Sequence, residues 1–201
     1  MKSSIVKILS LASFIAGSAA LNAAKVGYEA PEFKLMDISG TEHSLSDFSG
    51  KYVVLEWVNP ACPFVKKHYS SGNMQSLQEK WTDKGVVWLS IESTKPEHPQ
   101  YFGKTELTKF TKKAETHSTA FLLDEGGKVG KLYDARTTPH MYIISPEGKL
   151  IYNGAIDSIS SANPKDVGKA ENYVSAALYA AKSGEEITKS TTRAYGCSVK
   201  Y

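Results

Sequence analysis

The stretch that most constrains this chain runs from Tyr52 to Tyr69, where an apolar segment passes through a cysteine-containing turn into a helical one. Between Tyr52 and Val58 the residues are apolar, aromatic or β-branched apart from Glu56, and Ser49-Gly50-Lys51 precede them as a turn. Such a run suits a buried central strand. Asn59-Pro60 then breaks the strand. Pro63 fits the first turn of a helix, because its φ is preset and its missing N–H has no intrahelical acceptor to lose. Cys62 is therefore predicted at a helix N-terminus, where unsatisfied N–H groups and the positive end of the dipole favour thiolate over thiol. Lys66 and Lys67 add positive charge close by. Glu56 is an unexpected acid in such a strand: if buried, it needs a partner or a raised pKa.

Around this centre, helical and strand patterns alternate, which predicts parallel pairing in part of a sheet. Phe33 to Ile38 and Thr41 to Leu45, joined at Ser39-Gly40, read as an N-terminal hairpin. Met74, Leu77 and Trp81 form the apolar face of a second helix, with Asn73 as its expected cap. Val86 to Ile91 and Thr119 to Leu123 read as strands, with a helix marked by Leu107, Phe110 and Ala114 between them. A short helical segment follows Gly126-Gly127, and His140 to Ser145 with Lys149 to Asn153 predicts an antiparallel hairpin about Pro146-Glu147-Gly148. Helical spacing of Val167, Ala170, Val174, Ala177, Leu178 and Ala181 predicts a last helix that Gly184 stops. The tail from Glu185 to Tyr201 has no periodicity and carries the second cysteine, Cys197. Cys197 lies thirteen positions after Gly184, enough at about 3.3 to 3.6 Å per residue for the tail to return to Cys62.

The order strand, Trp57, short loop, Cys62, Pro63, helix, with Thr138-Pro139-His140 entering a later strand, resembles the thioredoxin fold. More narrowly, Asn59 to Val65 together with Gly196-Cys197-Ser198-Val199-Lys200-Tyr201 resembles the peroxiredoxin-like branch of the alkyl hydroperoxide reductase and thiol-specific antioxidant family. The resemblance implies an α/β thioredoxin-like domain over residues 25–201, a central mixed sheet flanked by helices with an N-terminal β-hairpin. It implies that Pro139 is a cis-proline facing the Cys62 turn. Cys62, Cys197, Pro139 and Asn59 are then the catalytic candidates, with Thr138 at the substrate. The chain's two arginines, Arg136 and Arg193, flank the segments predicted to approach Cys62, where a guanidinium could stabilise a thiolate or bind an anionic group, and Arg136 is the substrate-binding candidate of the two. Val65 stands where a thioredoxin has its second motif cysteine, so dithiol exchange within a Cys-X-X-Cys motif is excluded. Asn59 stands where typical peroxiredoxins carry Thr or Ser, and its amide is able to hydrogen-bond a substrate.

More than one reading of each cysteine stays open at this level. Cys62 is a reactive nucleophile, half of an inert disulfide or a buried small residue, and Cys197 either resolves an intermediate on Cys62 or staples the tail. A redox enzyme would need an external thiol reductant or a disulfide-bearing protein as partner, with peroxide as the alternative substrate. A binding or scaffold protein would keep Cys62 and Cys197 permanently paired. No bound cofactor is required by either reading. His68 and His140 are the histidines the fold could bring to Cys62 as metal ligands, but no pair has metal-ligand spacing.

Residues 1–24 have the charged start, apolar middle and small-residue end of a secretory signal peptide, and the apolar part is short for a span of roughly 20 residues. Export to a periplasmic or extracellular space is expected, with no stable membrane insertion after cleavage. Removing Lys2 and Lys7 with that segment takes the formal charge from +3 to +1. A nearly neutral chain offers no electrostatic basis for binding nucleic acid or an anionic membrane. An oxidising compartment would permit a Cys62–Cys197 disulfide.

Overall fold

A computed structural model describes residues 23–201; the expected signal peptide, residues 1–24, lies almost wholly outside them. Among the described residues no helix is long and apolar enough to cross a membrane. Nine strands and five α-helices follow one another as β1 (Lys34–Asp37), β2 (Glu42–Ser44), β3 (Val53–Trp57), α1 (Pro63–Ser70), α2 (Asn73–Thr82), β4 (Val87–Glu92), α3 (Lys104–Ala114), β5 (Ala120–Leu123), α4 (Lys128–Leu132), β6 (Thr137–Thr138), β7 (His140–Ile144), β8 (Leu150–Gly154), α5 (Tyr173–Ser183) and β9 (Cys197–Ser198).

Seven of the strands form one mixed sheet in the order β2-β1-β5-β4-β3-β7-β8, while β6 and β9 pair separately. β3 runs parallel to β4, and β4 to β5, as the alternation with helices predicts. β7 is antiparallel to β3 and continues into the β7–β8 hairpin. The N-terminal hairpin β1–β2 forms as expected and extends the sheet by pairing β1 with β5. This is the thioredoxin-like α/β architecture that the resemblance implied.

Every residue of β3 is buried, which accounts for its unbroken apolar character. Side-chain alternation divides the strand between two cores. Val53, Leu55 and Trp57 face a cluster with Leu89, Tyr133 and Tyr142, whereas Val54 and Val58 face Val65, Met74, Trp81 and Leu178. Glu56 points into the second of these with no solvent exposure. There its carboxylate accepts hydrogen bonds from Tyr69 Oη at 2.9 Å, Trp88 Nε1 at 2.8 Å, Ser90 Oγ at 3.0 Å and Gln78 Nε2 at 3.1 Å. The acid has a full set of donors, and burial still pushes its pKa up.

Two helix starts differ from expectation. The cap of α2 is Gly72, in the left-handed region at φ 75°, and Asn73 is the first helical residue. Its amide is turned back to His68 Nδ1 at 2.9 Å, so it serves α1 and not its own helix. The last helix begins at Tyr173, not near Val167: Pro164–Lys169 is a separate 3-10 turn, Ala170 is extended, and Asn172 caps α5 by accepting from the Ser175 amide at 2.8 Å. A strong Asn cap set the boundary that apolar spacing alone ran across.

Candidate dithiol site

Cys62 is the N-cap residue of α1, with Pro63 at the first helical position. β3 and its apolar neighbours fix the strand, Asn59 turns the chain by accepting the Ala61 amide at 2.8 Å, and the helix begins with its N-terminus at the sulfur. Opposite lies the Thr138–Pro139 peptide, which is cis. The Cys62 thiol donates to the Thr138 carbonyl at 3.0 Å.

The tail closes the site from the other side. β9 pairs antiparallel with β6, placing Cys197 across from Thr138 and Ser198 across from Thr137. The preceding Gly196 has φ 142°, and a Cβ there would stand 2.1 Å from the Thr138 carbonyl oxygen, so this close approach admits only glycine. Further bonds run from the Val199 amide to the Arg136 carbonyl at 3.0 Å and from the Lys95 amide to the Lys200 carbonyl at 2.8 Å. Tyr201 ends the chain over Gly127 and Gly130, its hydroxyl donating to the Ala135 carbonyl at 2.6 Å. Cys62, Cys197, Asn59, Thr94 and Thr138 line one cleft of about 10 Å³, room for about one water molecule.

Both cysteines are free thiols that line the same cleft, and each influences the ionisation of the other. Burial works against ionising Cys62, but hydrogen bonds from Thr138, from Cys197 and from the Val65 and Cys197 amides outweigh it and bring the thiol below its ordinary pKa. The Thr138 hydroxyl is buried without a hydrogen-bond partner. Cys197 moves the other way, raised by burial and by the neighbouring Cys62 sulfur. The first proton to leave the pair therefore leaves Cys62. Exposure is also unequal, since Cys62 is only 2% exposed and Cys197 is partly open.

Asn59 is engaged on every side: its amide nitrogen donates to Glu92 Oε1 at 3.2 Å, Thr94 Oγ1 at 2.9 Å and the Gln100 carbonyl at 2.9 Å. Glu92 behind it is buried, which pushes its carboxyl up to about 7. Arg136 is turned to solvent, its guanidinium on Asp134 at 2.6 Å. The second arginine, Arg193, instead lines an open groove of about 670 Å³ beside the tail, with Phe64, Thr137 and Gly196. His68 and His140 do not meet at Cys62: His68 bonds Tyr195 and Asn73, and His140 bonds Asn153 and Tyr142. Among the described residues no cluster of three or more metal-ligating side chains occurs.

Sequence reading passed over Asp157, Glu92 and Tyr195, and it set Lys67 beside the Cys62 thiolate, whereas its ammonium is spent on Asp157. Lys67 and Asp157 form an ion pair at 3.2 Å with side chains 0% and 3% exposed, and no local pattern announces a partner 90 residues away. Two signals were present: a lysine and histidine together on the inner part of α1, and a lone aromatic two residues before Cys197.

The Escherichia coli protein Peroxiredoxin Bcp is 30% identical over 155 residues, covering 73% of this chain and 94% of its own. Thiol-disulfide oxidoreductase ResA of Bacillus thuringiensis is 27% identical over 127 residues, covering 63% of this chain and 68% of that protein. An uncharacterized conserved protein from Geobacillus kaustophilus superposes with a TM-score of 0.77 at 27% identity, covering 90% of this chain and 94% of the other. The AhpC/TSA family model matches residues 26–153, which include Cys62, Thr138 and Pro139 but not Cys197. A cysteine at the strand-to-helix turn, a cis-proline facing it and a match over most of the α/β domain lead to one assignment: this chain belongs to the AhpC/TSA family, as a peroxiredoxin-like protein of thioredoxin-like fold.

Proposed function

We propose that this protein is an exported thiol oxidoreductase in which Cys62 is the nucleophile and Cys197 the resolving thiol. The observation that carries the reading is the meeting of the two thiols with opposite shifts, Cys62 toward thiolate and Cys197 toward thiol. Family membership supplies the reaction class and the apolar leader at residues 1–24 supports export.

In the proposed cycle the tail swings aside and the Cys62 thiolate attacks one sulfur of a partner disulfide, releasing the other as thiolate. Cys197 then loses its proton and attacks the Cys62 sulfur, which expels the second partner thiolate and leaves a Cys62–Cys197 disulfide. Two electrons have passed to the partner, and an external thiol restores the dithiol by the reverse exchange. Thr138, through its hydroxyl and carbonyl, holds the Cys62 sulfur in either protonation state, and Pro139 shapes the loop that presents them. Disulfide exchange is favoured over peroxide reduction because Asn59, at the position where peroxiredoxins carry Thr or Ser, spends its amide on Glu92, Thr94, Gln100 and Ala61.

The test is the redox midpoint of the mature protein, by thiol trapping against a glutathione buffer series, with Cys197→Ser as control. A Cys62–Cys197 couple that titrates among the oxidoreductases, at roughly −270 to −120 mV, supports the reading. A bond that resists reduction until the domain unfolds would instead make it a structural staple and the protein a scaffold.

A further inference from the structure

The tail before Cys197 is tied to α1 by a cluster of charged and hydroxyl groups buried between them. The Lys67 ammonium donates to Asp157 Oδ2 at 3.2 Å, to the Ile159 carbonyl at 2.9 Å and to Tyr195 Oη at 3.2 Å. The Tyr195 hydroxyl donates to Asp157 Oδ1, and His68 Nε2 lies 3.3 Å from the Tyr195 hydroxyl oxygen. The Tyr195 ring stacks edge-on against Phe64, centroids 5.8 Å apart. All four polar side chains are buried. An unpaired charge at such a place is strongly destabilising, so the cluster holds one geometry.

Position gives the cluster its meaning. Lys67 and His68 stand on the helix that Cys62 begins, and Tyr195 stands two residues before Cys197. Tyr195 is thus a direct link between the two sulfurs that does not pass through β6.

We infer that Tyr195 is the positioning residue for Cys197: held by Lys67, Asp157 and His68, it latches the tail onto α1 and sets the second thiol over Cys62. This rests on reading Cys62 and Cys197 as a redox couple. Releasing the latch lowers the effective concentration of Cys197 at Cys62, which weakens the disulfide relative to the dithiol. It also uncovers Cys62.

Tyr195→Phe in the full mature chain keeps the ring against Phe64 and removes the hydroxyl. In glutathione buffers the equilibrium constant for the Cys62–Cys197 disulfide should fall about tenfold, a rise in midpoint of about 30 mV. In a Cys197→Ser background, Tyr195→Phe should speed alkylation of Cys62 by iodoacetamide about tenfold. Should Tyr195→Phe fail to fold by circular dichroism, Asp157→Asn carries both readings. A lower Tm with midpoint and alkylation rate unchanged would overturn the inference, leaving the cluster a structural tie only. If the wild-type chain forms no disulfide, the redox reading fails, and the alkylation rates alone decide the latch: faster supports it, unchanged overturns it.

Discussion

The two sulfurs of the site are held in place by different physics. Cys62 sits where a strand buried on both faces meets a helix, so its position follows from apolar packing shared by the whole domain. Cys197 sits on a tail without helical or strand periodicity, secured by a two-residue pairing with β6, a glycine contact and the buried hydroxyl of Tyr195. Apolar packing spread over many side chains is lost only with the fold, whereas a few polar contacts at one edge can open separately. The Cys197 side is therefore the half with fewer contacts to lose, and in the proposed cycle it is the half that moves to admit substrate to the covered Cys62.

That contrast can be broken most sharply at the proposed nucleophile. Cys62→Ser should abolish disulfide turnover altogether, while Cys197→Ser should still form a mixed disulfide on Cys62 in a single turnover, read by mass spectrometry. Retained turnover in Cys62→Ser would reverse the roles assigned to the two halves. On the packed side, Glu56→Ala leaves the donors of Tyr69, Gln78, Trp88 and Ser90 without their acceptor. It should cost roughly 3–5 kcal/mol of unfolding free energy in denaturant titration, against about 1–2 for Glu56→Gln.

The halves also differ in their response to pH. Glu92 stands behind Asn59 on the Cys62 side, and its carboxyl, raised to about 7, is preferentially protonated in the fold. The stability it contributes is complete below the ordinary value of 4.5 and is lost as pH rises toward 7, on the order of 3 kcal/mol. His68, on α1 where Tyr195 of the tail docks, is held neutral by burial with a pKa of about 4, against an ordinary 6.5. Its contribution, of similar order, is present above pH 6.5 and is lost as pH falls through 4. Glu92→Gln should flatten the decline between pH 5 and 7. His68→Gln should remove about half of the acid-side decline, since His140 is held near 4 in the same way. Equal flattening on both limbs by either variant would contradict the separation.

Two smaller effects complete the series. Gly196→Ala should force β9 away from Thr138, lowering stability by roughly 1–3 kcal/mol and making the disulfide easier to reduce. An unchanged midpoint would mean that the tail reaches Cys62 without this contact. Arg136→Ala should leave Tm and midpoint alike within error, since its guanidinium meets only the exposed Asp134.

The amino-acid sequence by itself determined the strand-turn-helix around Cys62, the alternation that makes β3, β4 and β5 parallel, and the hairpins at both ends of the sheet, because each is written in neighbouring residues as apolar period or turn chemistry. Pro139 and Asn59 were legible as positions through resemblance. Only the tertiary structure decided what those positions touch. The engagement of Asn59 by Glu92, the ion pair of Lys67 with Asp157 and the return of Tyr195 to α1 join residues 33, 90 and 128 apart. Contacts of that kind leave no local period, since a buried polar group is tolerated wherever the fold brings it a partner. For that reason Lys67 read as a charge beside Cys62 and not as the partner of Asp157, and Arg136, one of the chain's two arginines, as a better site candidate than its exposed pairing with Asp134 now suggests.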